Sequence, residues 1–243
     1  MRNPLRRVAA AVRPAGPTEQ ELRETSRNQV CYQAASLLLS YPDEQLLQRI
    51  GVLREALAEA GLLDFFEPTL SHLAGGTLTE AQSFHVQEFD ISRRHALHLS
   101  YWTDGDTRRR GEVLAAIKQL YRDSGLLVDL AGELPDHLPL VLEFAALGDA
   151  ERGLELLVRY RASLELLRMQ LEKDKLPQAG MLQAICATLP GESPTSRAEV
   201  QQMVDAAMPS ESVGLDGYGG AGFDRLGTGG QPTGPQFVEL ERR

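Results

Sequence analysis

Apolar residues recur along this chain at three- and four-residue intervals, and the runs stop at prolines and glycines. From about Asn28 onward, Val30, Ala34, Leu37, Leu38 and Tyr41 share one helical face, and Pro42 ends that helix because it cannot donate the next backbone hydrogen bond. Leu46, Leu47, Ile50, Leu53 and Leu57 repeat the pattern up to Gly61, in the position where helices commonly close. A shorter element carries Phe65, Phe66, Leu70 and Leu73 and stops at Gly75 and Gly76. Thr79 with Gln82 reads as a capping box for the next helix, which continues through Phe84 and Phe89 toward Tyr101 and Trp102 with a break near Asp90.

The run TDGD interrupts that helix, and Thr107 caps another that buries Val113, Leu114, Ile117, Leu120 and Tyr121 before Gly125. Pro135 stands near the start of the next, PDHLPLVLEFAALG, in which Pro139 must occupy the first turn or kink the axis; Gly148 ends it. Leu154, Leu157, Arg161, Leu164, Leu167 and Leu171 predict one long helix, followed by shorter ones over Met181–Leu189 and Ser196–Ala207. Alternation of the strand type never persists, β-branched residues are sparse, and no internal repeat is visible. The expectation is an all-α, single-domain helical bundle over residues 28–208. A basic extension (1–27) and a Gly-rich tail (209–243) flank it, and both are expected to be disordered because neither buries enough apolar surface to offset ordering entropy.

Composition narrows the function. The 243 residues carry a net charge of −9, so a general affinity for phosphate backbones is not expected. Cys31 and Cys186 lie far apart in apolar stretches, which fits buried reduced thiols and a cytoplasmic setting. Arg6 and Arg7 invite comparison with a twin-arginine export signal, but VAAAV is too short and weakly apolar for one. No apolar run approaches the roughly 20 residues of a membrane helix.

Chemically capable side chains concentrate in FDISRRHALHLSYWTDGDTRRRGEVL, Phe89–Leu114. His95 and His98 share a helix face, yet no third ligand stands at a recognised metal spacing. Asp104 and Asp106 do not meet a calcium-loop pattern and suit a turn at a helix N-terminus. No nucleophile elbow or phosphate-binding glycine loop is present, so no enzyme is predicted. The Arg93–Arg110 cluster with Tyr101 and Trp102 has two readings, a salt-bridged helical junction or a surface that grips a partner. ELPDHLP adds Asp136 and His137 at a helix start.

Three stretches carry a resemblance: YQAASLLLSYPDE (Tyr32–Glu44), the segment Glu88–Leu114, and ELPDHLPLVLEFAA (Glu133–Ala146). In this order they resemble the NarJ family of nitrate reductase molybdenum cofactor assembly chaperones, within the TorD-like helical chaperones of redox enzymes. The resemblance spans roughly residues 28–208. It implies a cytoplasmic, non-catalytic chaperone that binds the immature α subunit of respiratory nitrate reductase, partly through that subunit's N-terminal segment. The client is held until its molybdenum cofactor and iron–sulfur centres are in place and it can dock at the membrane. The chaperone itself is expected to hold no cofactor or metal stably, and neither nucleic acid nor membrane insertion is implied. Carried over onto this chain, the motifs assign client binding to Phe89, His95, Leu99, Tyr101, Trp102, Asp104, Arg108, Arg110, Asp136, His137 and Glu143. His98 departs from the pattern, where a bulkier apolar or aromatic residue is expected, and receives no role. The alternatives are maturation of another molybdoenzyme, or a helical nucleic-acid-binding regulator using the Arg93–Arg110 patch, which would show steep salt dependence.

Overall fold

The computed structural model describes residues 18–104, 108–126, 128–130 and 132–207, and among them finds eleven α-helices and no strand. α1 (Glu19–Leu39), α2 (Glu44–Glu59) and α3 (Leu63–Ala74) follow the predicted faces, with Gly61 at φ +64° between α2 and α3. α4 (Leu78–His85), α5 (Leu99–Asp104), α6 (Arg108–Asp123), α7 (Leu138–Glu143) and α8 (Ala150–Arg159) come next. α9 (Arg161–Lys173), α10 (Ala179–Ala187) and α11 (Arg197–Ala207) complete the order.

α9 is enclosed on almost every side, burying Leu164, Leu166, Leu167 and Leu171 together with Arg161, Ser163, Glu165 and Gln170. It packs on α5, α8, α10 and α11, while α1 lies against α2, α7 and α10. Cys31 and Cys186 are free and fully buried in this core, and burial pushes the Cys31 thiol up to about 12. No helix among the described residues is long and apolar enough to cross a membrane.

Several expectations are corrected. α1 begins at Glu19, inside the stretch 1–27 expected to be disordered; its first turns are polar and exposed, so apolar spacing could not reveal them. A Thr18–Glu21 capping box opens it instead. The box expected at Thr79 and Gln82 lies two residues earlier, at Thr77 and Glu80, where a carboxylate accepts from the Thr77 backbone N–H at 2.7 Å. A charge-assisted bond outweighs the neutral amide alternative.

The long helix expected over Leu154–Leu171 is two, α8 and α9, jointed at Tyr160 (φ −99°, ψ 21°). Apolar periodicity survives a change of axis, so it hid the joint. The helix expected from Phe84 to Trp102 is broken more thoroughly: α4 passes into a π-helical turn, Val86–Asp90, then a 3₁₀ turn, Arg93–His95, before α5. A second π-helical turn, Phe144–Gly148, ends α7, and Pro139 occupies that helix's first turn as expected. The Thr107 cap, residues 1–17 and the tail from residue 208 lie outside the described residues.

Candidate functional site

The broken segment after α4 returns to meet the start of α7. Leu97–Leu99 pairs with Asp136–Leu138 through Leu99 N–H to the Asp136 carbonyl (3.1 Å) and Leu138 N–H to the Leu97 carbonyl (2.8 Å). This short antiparallel bridge sets His98 beside His137, ring centroids 5.2 Å apart. It joins the two later sequence motifs, Glu88–Leu114 and Glu133–Ala146, in one place.

Above the bridge opens a cleft of about 240 Å³, lined by Phe89, Asp90, Ile91, Arg93, Leu97, His98, Tyr101, Glu133 and His137 among others. The Val86–Asp90 π-turn forms one wall, and a π-helical irregularity of this kind is common at functional sites because it re-aims side chains. Ile91 projects at the rim, 73% exposed.

Beneath the cleft, Asp136 is fully buried. The Ser100 backbone N–H and hydroxyl both donate to its Oδ2, at 2.9 and 2.6 Å, and Arg110 Nε donates to the Ser100 hydroxyl at 3.1 Å. His98 Nδ1 stands 3.5 Å from Asp136 Oδ1, long for a hydrogen bond but close enough to favour the carboxylate. Burial opposes ionisation of Asp136, yet these neighbours together hold its carboxyl below the usual aspartate value. In His137 burial, reinforced by His98, disfavours the charged form and lowers it to about 4, so its imidazole is neutral at pH 7. His85, buried against Tyr41 and Phe89, is lowered by the same burial, with Asp90 partly opposing.

The motif residues therefore separate into kinds. Phe89, Tyr101 and His137 line the cleft, although Phe89 is itself mostly buried. Leu99 is core, and Asp136 with Arg110 builds the floor. His95 is also core: Nε2 lies 2.9 Å from Asp174 Oδ2 and Nδ1 3.2 Å from the Glu88 carbonyl, so it ties the 3₁₀ turn to the end of α9. Trp102 faces away from the cleft, donating Nε1–H to the Ala96 carbonyl at 2.9 Å and packing against Ala162, Leu166 and Val200 of α9 and α11. Glu143 lies on a different cleft, beside Leu140, Phe144 and Leu147. The side chains of Asp104 and Arg108 lie outside the described residues.

Sequence reasoning passed over His98, Asp90 and Glu133, all on the cleft wall. The runs LHL at His98 and DHL at His137 were the available signal, visible only once the two segments are known to pair. Among the described residues no group of His, Cys, Asp and Glu is arranged to hold a metal ion.

The helical arrangement defines a class. A solved structure described as a putative redox enzyme maturation protein from Archaeoglobus fulgidus shares this fold, with a TM-score of 0.50, 23% identity, and coverage of 72% of this chain and 98% of that one. The family follows from sequence: the model of the nitrate reductase delta subunit family matches residues 50–177, and the chain belongs to that family. Its relatives include the nitrate reductase-like protein NarX of Mycobacterium tuberculosis, 39% identical over 65% of this chain; the chain spans only 24% of that protein's length. The probable nitrate reductase molybdenum cofactor assembly chaperone NarJ of Bacillus subtilis is 32% identical, over 68% of this chain and 91% of its own. The NarJ chaperone of Escherichia coli is 32% identical over 57% and 60%.

Proposed function

We propose that this protein is a cytoplasmic, non-catalytic assembly chaperone for nitrate reductase. It binds the immature catalytic α subunit, including its N-terminal segment, and keeps it competent to receive molybdenum cofactor and iron–sulfur centres before membrane docking. The chaperone holds neither group stably itself.

The observation that carries this reading is the cleft above the His98–His137 bridge, where both long family motifs supply walls and floor. Kinship with NarJ chaperones points to the same client. The chemistry suits a peptide. Phe89, Leu97 and Tyr101 offer apolar contact, and Asp90, Glu133 and Arg93 at the rim can set the register of a charged segment. A neutral His137 beside a buried, ionised Asp136 gives fixed polar positions without a reactive nucleophile.

Calorimetric titration of the full chain with the N-terminal peptide of its cognate nitrate reductase α subunit tests the reading. Saturable binding, weakened by ~1–3 kcal/mol in Tyr101→Ala with folding stability nearly unchanged, is the expected result. Binding that is indifferent to Tyr101→Ala would move the client's contact elsewhere, and binding only to another molybdoenzyme's peptide would change the client.

A further inference from the structure

α11 is held lightly. Of its described side chains Val200 alone is buried, in a small apolar cluster with Ala162, Leu166, Met169, Trp102 and Val204. That cluster is distinct from the main core and meets it at Trp102. Polar contacts pin only the beginning of the helix. Arg161 donates to the carbonyls of Gly191 and Glu192 at 3.0 and 2.9 Å, and Arg168 to that of Pro194 at 2.7 Å. Arg197 donates to Gln170 Oε1 at 3.1 Å. Beyond Arg197, among the described residues, side-chain hydrogen bonds stay local, as in Gln201 to Asp205 at 2.8 Å. A unit fastened at one end, with few buried apolar contacts, opens at low free-energy cost.

The surface beneath it is suited to a partner. Lifting α11 about residues 191–197 uncovers Trp102, Ala162, Leu166 and Met169, an apolar strip on α5 and α9 with an aromatic anchor. The strip adjoins the cleft above the His98–His137 bridge, because Trp102 follows Tyr101 of the cleft wall, ring centroids 6.2 Å apart. α11 itself shows what the strip accepts: a helix presenting Val200 and Val204, four residues apart on one face.

A run of hydrogen bonds ties α11 to the same cleft. His95 Nδ1 lies 3.2 Å from the carbonyl of Glu88, in the Val86–Asp90 turn that walls the cleft, and its Nε2 lies 2.9 Å from Asp174 Oδ2. Gln170 Nε2 donates to that same oxygen at 2.8 Å, while Gln170 Oε1 accepts from Arg197 at the start of α11. His95 and Gln170 are buried, so neither can replace a lost partner with water unless the packing opens.

We propose that α11 is a displaceable cover over a second client surface. Client filling the cleft shifts the Val86–Asp90 turn, the hydrogen-bond run passes that shift to Arg197, and α11 lifts. An amphipathic helical part of the client then takes its place on Trp102, Ala162 and Leu166. This proposal rests on the cleft being a client site. The closed form hides the apolar strip while no client is present, and the client's apparent affinity falls with the fraction of chain held closed.

Hydrogen exchange on the full chain, with and without the N-terminal peptide of its cognate nitrate reductase α subunit, tests this. Saturating peptide should speed exchange at residues 200–205 by about tenfold, within the ordinary range of coupling between sites. Gln170→Leu, which cuts the run, should remove that acceleration while calorimetry still shows binding. Trp102, the only tryptophan, supplies a second readout. Val200→Ser with Val204→Ser should shift its emission to longer wavelength in the free chain, and peptide should shift it back. The same variant should bind peptide about fivefold tighter or more, since less of it is closed. Unchanged or slower exchange at 200–205 in peptide-saturated wild type would overturn the proposal and leave the client site standing. Emission that peptide does not shift back would overturn it equally, and acceleration persisting in Gln170→Leu would overturn the coupling. Calorimetry showing no binding to wild type or variant would remove the client site itself, and this proposal with it.

Discussion

Asp136 has no solvent exposure yet stays ionised, because two Ser100 donors bond one of its oxygens and the nearby His98 imidazole favours the charge electrostatically. Removing the carboxylate would leave the Ser100 donors without their acceptor at the point where the two motif segments join. Asp136→Ala should therefore cost about 3 kcal/mol or more of folding stability, read by chemical denaturation; a loss below about 1 kcal/mol would mean that the floor is not held by this residue. Trp102 is a second decisive side chain. Its packing against α9 and α11 and its indole bond to Ala96 mark it as a bridge within the fold. For a half-buried indole, Trp102→Ala should lose roughly 2–3 kcal/mol of stability. Wild-type stability with peptide binding abolished would instead return Trp102 to the client surface.

At the scale of elements, close backbone approach explains what periodicity does not. A Cβ on Gly153 of α8 would lie 2.4 Å from Ala145 Cα, so α8 rests directly on the second π-turn. Gly153→Ala should destabilise by ~2–3 kcal/mol, since the opposing atoms are backbone and cannot swing aside; a neutral result would show that the two elements separate easily. The start of α4 gives a gentler test. Thr77→Ala removes a two-way cap and should cost ~1 kcal/mol, whereas Thr79→Ala should fall within about 0.5 kcal/mol of neutral. Both π-turns adjoin clefts, Val86–Asp90 the first and Phe144–Gly148 the second. Their five-residue geometry leaves no mark on apolar spacing.

For the whole molecule, the buried titratable groups set an acid limit. His137 titrates at about 4 in the folded protein against 6.5 when exposed, so the unfolded chain binds more protons between those values. The contribution of the neutral imidazole is complete above pH 6.5 and is lost as the pH falls toward 4, on the order of 3 kcal/mol. Asp136 and Asp174, both lowered below 3.8, add a further loss at still lower pH. His137→Gln should flatten the stability profile between pH 6.5 and 4; an unaltered slope would assign it to other groups, His85 first.

What the sequence determined by itself is the kind of fold and the family. Helical spacing of leucines and alanines, with prolines and glycines between runs, is local chemistry, and it specified most helices and the absence of strands among the described residues. The motif stretches that resembled NarJ proteins are linear strings, equally legible without coordinates. The tertiary structure decided which motif residues face a cleft and which face the core. His95 and Phe89 stand only six residues apart, yet one ties down α9 and the other lines a wall. That outcome depends on contacts between residues distant in the chain: His98 with His137, Asp174 with His95, Trp102 with Val200. A buried residue and a binding residue have the same apolar or aromatic character, and only the packing of other segments around them fixes which surface stays open.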